Sequence, residues 1–330
     1  MSERRSGTRL LVGGLLIVLV PLIVVAVVAV LSAGDGISSL ARSDLDHTAT
    51  GLAIDLQGVM SEQLVTAGAM ASSTSVVTAA GAVDSGAAGS RAAAGAAQQE
   101  IARIKRASGD AVDAVVLIGT DGFCFASTGD GVLVGKDLSQ RAYFKTAAQG
   151  EANAGEVIDS LVTGRRVVIA ASPIYDSTGT RVTGVLSLGM DREQTLGALA
   201  GVRPAASGYT FVVDASGLFL QHPVKANVLK VKVADVSGMG SIAQVVTAKR
   251  DATVTYTLDG EKYLAAVRRV PVTGWSVAAT APESELYASA THTRTLIVGV
   301  TVVAAALAAL AFSLLARSLR RRQAAEEARG

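Results

Sequence analysis

The sequence predicts an α+β protein with two small antiparallel sheets in tandem, preceded by a long helix and flanked by two membrane-spanning helices. Three observations predict this architecture. Tight-turn signals at Thr163-Gly164 and at residues 176–179 separate apolar, β-branched runs, which is typical of consecutive antiparallel hairpins. The same order of strands and glycines recurs 95 positions later, where Gly217 repeats Gly122, and such a repeat indicates two related modules. Two runs of more than 20 uncharged residues lie near the ends of the chain.

The two uncharged runs, residues 10–32 and 295–316, are predicted to be transmembrane helices. Each is long enough, at about 1.5 Å per residue, to cross a hydrocarbon core of about 30 Å. The first exceeds the roughly 7–15 apolar residues of a signal peptide, so we expect an uncleaved anchor. Arginines precede the first run and follow the second: Arg4, Arg5, Arg9, Arg317, Arg320, Arg321 and Arg322. The positive-inside rule then places both termini in the cytoplasm and residues 33–294 outside the plasma membrane.

The chain is predicted to have seven segments. Apolar residues between Leu45 and Val65 recur at helical intervals, and strand-like alternation begins near Val112. We expect two helices before Val112, separated by a loop near residues 81–89. The predicted segments are a cytoplasmic N-terminus (1–9), a transmembrane helix (10–32), a helical stalk (33–110), a membrane-distal module (111–192), a membrane-proximal module (193–288) with hairpin strands at 253–258, 261–269 and 275–280, a second transmembrane helix (295–316) and a basic cytoplasmic stub (317–330).

Charge and motif content exclude several functions. The two ends carry net charges of +2 and +3 and the whole chain carries +2, so the segment between them carries −3. A basic face for nucleic acid is therefore not expected. His47, His222 and His292 are too scattered for a metal site by spacing, and no catalytic or dinucleotide motif is present. We expect no enzyme activity, no metal and no cofactor, and we expect Cys124 to be a small buried hydrophobe.

Arg141 and Tyr143 are the best polar candidates for a binding site. They fall in a short helix predicted over residues 137–144, ahead of three hairpin strands. In an extended or first-turn segment the two side chains could converge on one ligand. A guanidinium matches a carboxylate, and a tyrosine ring offers an apolar wall with a polar tip. The alternative is that Arg141 pairs with Asp137 while Tyr143 packs in the core.

These residues resemble a known family, the double Cache (dCache) extracellular sensors. The resemblance rests on Arg141-x-Tyr-Phe144, residues 155–164, residues 167–173, Asp176-x-x-Gly179 and Gly184-Val-Leu in the first module, and on residues 208–223 and Thr273-Gly-Trp275 in the second. It covers residues 34–286. It implies two PAS-like modules along one long helix, flanked by two membrane spans, as the input domains of chemoreceptors, histidine kinases and nucleotide cyclases.

The resemblance also implies a ligand pocket in the distal module. Family members that bind amino acids use an arginine and two aromatic residues for the ligand carboxylate, at positions that match Arg141, Tyr143 and Phe144. Their amine-binding aspartate falls on Gly189, and their two further tyrosines fall on Lys136 and near Ser160. We therefore expect a carboxylate without an amine, or another small polar solute, with Asp159 as an additional polar contact.

The sequence as a whole predicts a membrane-anchored sensor of a small molecule that acts in signal transduction. The segment 317–330 is too short for an output domain, so we expect either a truncated receptor or a separate cytoplasmic partner that contacts this stub. A homodimer is expected if the long helices pair. The alternatives are an envelope protein that binds a solute or a partner without signalling, and an extracytoplasmic enzyme with clustered carboxylates in the pocket.

Overall fold

The computed structural model describes Val24 and residues 39–327. The chain divides into two compact units, Asp44–Pro282 and a second unit formed by Met1–Ser43 with Glu283–Gly330. The first unit holds both sheets and the candidate site.

Three helices precede the sheets: α1 (Ser39–Ala71), α2 (Thr74–Asp84) and α3 (Ser90–Ser108). The chain bends by 66° between α1 and α2, a break that periodicity did not predict. The Ser72 hydroxyl donates a hydrogen bond of 2.8 Å to the Gly68 carbonyl at this bend, and such local bonds compete with the helical ladder. The loop expected at residues 81–89 is shorter than predicted, since α2 continues to Asp84.

The first sheet contains β1 (Val112–Gly119), β2 (Cys124–Ser127), β3 (Asn153–Asp159), β4 (Arg166–Tyr175) and β5 (Val182–Asp191). The strands are antiparallel and lie in the order β2-β1-β5-β4-β3. The two predicted hairpins are confirmed as β3–β4 and β4–β5. Gly164 and Gly179 in their turns have φ angles of +72° and +73°, values that glycine adopts without steric cost.

Helix α4 (Ala142–Ala148) lies between β2 and β3 in the chain. The helix predicted from residue 137 is wrong at its N-terminal end. Asp137 instead forms a β-bridge with Phe123, and its carboxylate accepts a hydrogen bond of 2.8 Å from the Ser139 amide. These contacts hold the segment in a turn, and Arg141 becomes the extended residue directly before α4.

The second sheet repeats the first. It contains β6 (Tyr209–Val213), β7 (Phe219–Gln221), β8 (Ala252–Leu258), β9 (Glu261–Val270) and β10 (Trp275–Pro282), in the equivalent order β7-β6-β10-β9-β8. Helix α5 (Arg192–Leu196) connects the sheets, and α6 (Gly240–Thr247) occupies the place in sequence that α4 has in the first module. The hairpin strands predicted in the second module are confirmed to within two residues at each end.

Three apolar clusters form the core. One contains Met60 of α1, Leu117 and Leu186 of the first sheet and Trp275 of the second, so it spans both modules. A second lies between the first sheet and α4, and a third lies between the second sheet and α6. The shared cluster joins the two sheets and the helices into one core.

The second unit contains α7 (Glu283–Leu286) and α8 (Ala288–Glu327). Among the described residues, no single helix is both long and apolar enough to cross a membrane, although α1 and α2 satisfy length and composition as a bent pair. The span predicted at residues 10–32 lies, apart from Val24, outside the described residues. The span predicted at residues 295–316 falls within α8. Both transmembrane spans remain predictions.

Candidate ligand-binding site

A cavity of about 30 Å³ lies in the first module, bounded by the sheet, the start of α4 and the β3–β4 turn. This volume accommodates about one or two water molecules. Its polar lining comes from Asp113, Arg141, Tyr143, Ser160 and Ser187. Its apolar lining includes Ala114, Val116, Leu133, Leu138, Ile158, Val167 and Ile169. Mostly apolar walls with a few converging polar groups are typical of small-molecule sites.

Arg141 lies half-buried at the edge of α4, in extended conformation with φ −67° and ψ 134°. Its guanidinium makes no ion pair or hydrogen bond within the part of the chain that the structure describes. The alternative pair with Asp137 is not formed, since the Asp137 carboxylate accepts from Ser139, and those hydrogen bonds lower the pKa of Asp137. The Arg141 guanidinium therefore borders the cavity, and its five N–H donors make no hydrogen bond to the described residues.

Tyr143 is 4% exposed and lies in the first turn of α4. Burial raises the pKa of its hydroxyl to about 12, and a hydrogen bond with Ser187 and the charge of Arg141 offset part of that rise. The hydroxyl is therefore a neutral phenol below that pKa, and it shares the cavity lining with its partner Ser187. Arg141 is extended, so the 100° rotation between helical neighbours does not fix its side chain relative to that of Tyr143, and both residues line the cavity.

Asp113, which the sequence analysis missed, supplies a carboxylate to the same cavity. Its side chain is fully buried. One carboxylate oxygen, Oδ2, accepts a hydrogen bond of 2.7 Å from the Ser160 hydroxyl. The other, Oδ1, accepts one of 2.7 Å from the Thr163 hydroxyl and lies 3.1 Å from a guanidinium nitrogen of Arg165. Since a carboxylate offers about four acceptor positions, these three contacts leave one position on Oδ2 unused.

The charges around Asp113 do not cancel. Arg165 also contacts Asp191, at 3.3 Å. One guanidinium thus pairs with two carboxylates, and the three side chains together carry a formal charge of −1. Arg141 supplies a positive charge elsewhere on the cavity wall. Among the described residues, no group of three or more histidine, cysteine or acidic side chains could hold a metal ion. The lining residues therefore include one arginine, Arg141, and one aspartate, Asp113.

Comparison with known proteins identifies the family. Residues 36–290 match the family model for the Cache domain, in its dCache form. This chain belongs to the dCache family. One curated relative is the methyl-accepting chemotaxis protein TlpB of Bacillus subtilis (strain 168), which is 25% identical over 179 residues. The match covers 54% of this chain and 25% of TlpB.

Solved dCache domains share the fold. The extracellular domain of mmHK1S-Z2, described as a histidine kinase, has a TM-score of 0.60 and 18% identity, with 75% of this chain and 99% of that chain covered. The ligand-binding domain of the Pseudomonas fluorescens chemoreceptor CtaA, in complex with L-isoleucine, has a TM-score of 0.56 and 18% identity. The match covers 77% of this chain and 98% of the CtaA domain.

The remaining predicted site residues of this dCache domain lie outside the cavity lining. Phe144 is buried in the apolar cluster under α4. Asp159 has a side chain that is 79% exposed and lies 3.5 Å from Arg166 at the surface. Their roles in binding remain predictions.

Besides Arg141 and Tyr143, two further positions that the resemblance assigned line the cavity, namely Gly189 and Ser160. Asp113 lies in a bulge of β1, between Val112 and Ala114, which pair with Met190 and Gly189. The carboxylate that is absent at position 189 is thus present on the neighbouring strand. A charged residue at the start of an otherwise apolar strand was the signal that could have identified Asp113.

Proposed function

We propose that this chain is a membrane-anchored sensor whose extracytoplasmic dCache domain binds a small molecule in the cavity of the first module. The observation that carries the proposal is Arg141, a half-buried cation on the cavity wall with no partner in the described part of the chain. The solved structures that resemble this chain include a ligand-binding domain of a chemoreceptor and the extracellular domain of a protein described as a histidine kinase. This resemblance supports a role in signal transduction.

The proposed ligand is a small amino acid. Arg141 and the neutral Tyr143 hydroxyl would hold its carboxylate, and the free acceptor position on Asp113 would hold its ammonium group. Asp113 favours this class over the amine-free carboxylate expected from Gly189. The CtaA domain, in complex with L-isoleucine, supports the same class. A cavity of about 30 Å³ is smaller than any amino acid, so binding also requires that the walls move apart.

The proposed topology follows from the arginines at both ends of the chain. It places both termini in the cytoplasm and residues 33–294 outside, with transmembrane helices at residues 10–32 and 295–316. A ligand can shift signalling only by binding two arrangements of the domain with different affinity. We propose that the segment 317–330 passes such a shift to a cytoplasmic partner.

A thermal-shift experiment on the full chain in detergent micelles tests the ligand class. The probes are L-alanine, propionate, which lacks the amine, and ethylamine, which lacks the carboxylate, followed by the other standard amino acids. A ligand at 100 times its dissociation constant stabilises by about 2.7 kcal/mol. We expect an amino acid to stabilise the wild type more than its amine-free analogue does.

Matched variants assign the contacts. Arg141→Ala should abolish stabilisation by the amino acid and by propionate, whereas Arg166→Ala, an exposed arginine in the same module, should preserve both. Asp113→Asn should reduce the preference for the amino acid over propionate. If no probe stabilises the wild type, or if Arg141→Ala binds as the wild type does, the proposed function is wrong.

A further inference from the structure

The backbone of Tyr143 is held at both ends by β3. Its amide donates a hydrogen bond of 2.7 Å to a carboxylate oxygen of Glu156, and its carbonyl accepts one of 3.1 Å from the Asn153 side chain. Arg141 provides no side-chain cap, and the first turn of α4 contains no acidic residue. Glu156 is therefore the anionic acceptor at the start of α4, where such a group stabilises a helix.

The residue before Glu156 makes direct contact with the second module. Gly155 lies in a bulge of β3 with φ +110°. Its carbonyl accepts a hydrogen bond of 3.0 Å from the indole nitrogen of Trp275. A Cβ at this position would lie 2.8 Å from the Cβ of Thr273, closer than real side chains approach. The turn before β10 is thus packed directly against the backbone of β3.

Trp275 is the first residue of β10, the central strand of the second sheet, and is 1% exposed. The same turn is also tied to the long helix, since the Val272 amide donates a hydrogen bond of 3.0 Å to the Gln57 side chain of α1. All eight residues of β10 are buried. Because a close-packed interior transmits strain, a displacement of the turn also displaces β10.

We propose that Glu156 is a positioning residue that couples the cavity to the second module. Through its carboxylate it fixes the start of α4, which carries Arg141 and Tyr143, and through the adjoining Gly155 it ties that position to Trp275. A ligand that draws Arg141 and Tyr143 into the cavity pulls β3 and moves the start of β10. This coupling rests on the proposed function in that the cavity is the ligand site.

The test uses Trp275 as its own reporter, since it is the sole tryptophan of the chain. Acrylamide quenching of its emission is measured on the full chain in detergent micelles without ligand. We expect Glu156→Ala to raise the quenching constant at least about twofold, because a loosened contact opens more often to solutes. Glu156→Gln keeps an acceptor oxygen and should restore quenching close to the wild type. Glu151→Ala, an exposed glutamate just before β3, is the matched control and should leave quenching unchanged.

These measurements decide the coupling without a ligand. If Glu156→Ala quenches as the wild type does, or if Glu156→Gln and Glu156→Ala behave alike, the coupling is refuted. If Glu156→Ala fails to fold, Asn153→Ala, which removes the other hydrogen bond to Tyr143, replaces it. An increase in quenching supports the coupling, and an unchanged constant refutes it.

A second measurement adds L-alanine at saturation and records the change in Trp275 emission. The wild type and Glu151→Ala should show the same change, and Glu156→Ala should lose most of it. An emission change that persists in Glu156→Ala contradicts the coupling while leaving ligand binding intact. Absence of a thermal shift with any amino acid contradicts the proposed function instead, and the quenching series still decides the coupling.

Discussion

Asp113→Ala tests whether the buried carboxylate stabilises the first module. The substitution removes the acceptor of two hydrogen bonds of 2.7 Å, from the hydroxyls of Ser160 and Thr163. It also removes one of the two carboxylates beside Arg165. Because these partners come from the β3–β4 turn, the substitution detaches that turn from β1.

The three lost contacts differ in their expected cost. Ser160 is buried, and a buried donor without an acceptor costs about 1–3 kcal/mol. Thr163 is exposed and its hydroxyl can bond to water, so its loss costs less than about 1 kcal/mol. Arg165 has a side chain that is 48% exposed and retains Asp191, and such partly screened pairs contribute about 0–1 kcal/mol. We expect Asp113→Ala to lower the free energy of unfolding by about 3 kcal/mol.

Urea titration of the full chain in micelles, followed by Trp275 emission, measures this change as a shift in midpoint at constant slope. Asp159→Ala is the matched control, since it removes an aspartate whose partner is an exposed arginine, and should change stability by less than about 1 kcal/mol. If the two variants unfold at the same urea concentration, the bonds to Asp113 do not stabilise the fold and the reasoning is wrong.

Three further substitutions or conditions have defined outcomes. Gly155→Ala should lower the free energy of unfolding, measured by urea titration, by about 1–3 kcal/mol, because residue 155 has a φ of +110°. Gly95→Ala lies in an exposed part of α3 with open space around the new Cβ, and it should raise the free energy of unfolding by up to about 1 kcal/mol. Burial raises the pKa of Tyr143 and of Cys124 to about 12, from ordinary values of 10.0 and 9.0. Since the unfolded chain then ionises first, titrations at increasing pH should show stability falling between pH 9.0 and about 12. Val116→Phe should fill the cavity and abolish the thermal shift with an amino acid, at a packing cost of about 1–3 kcal/mol; a retained shift would exclude this cavity as the site.

The hairpins could be predicted because their information is local. A glycine at each turn and apolar β-branched runs on either side specify both the chain reversal and the strands. The start of α4 could not be predicted in this way. It depends on the β-bridge between Asp137 and Phe123 and on the carboxylate of Glu156, none of which is visible within one turn of helix.

The same distinction separates the predicted from the missed site residues. Arg141 and Tyr143 were identified because they lie two positions apart in one short segment. Asp113 reaches the cavity only because a bulge in β1 turns it toward Ser160 and Thr163, which follow it by 47 and 50 residues. Asp159 lies on β3, which borders the cavity through Ile158, but its side chain points to solvent and Arg166. Alternation within β3 alone did not reveal which of its side chains border the cavity.

The repeat of 95 residues explains why only the first module carries the proposed site. Ala114 and Val116 line the cavity and pair with Gly189 and Ser187 of β5. Their counterparts in the second module are Tyr209 and Phe211, which pair with Thr280 and Ala278 of β10.

The two rings lie 6.2 Å apart, and the Tyr209 hydroxyl is hydrogen-bonded to that of Tyr256 at 2.8 Å. Aromatic side chains thus occupy in the second module the space that small residues leave open in the first. Close-packed side chains leave little room for a ligand, and a close-packed interior transmits strain. The pair of modules therefore suits a division in which the first binds the ligand and the second, held at Trp275, follows its movement.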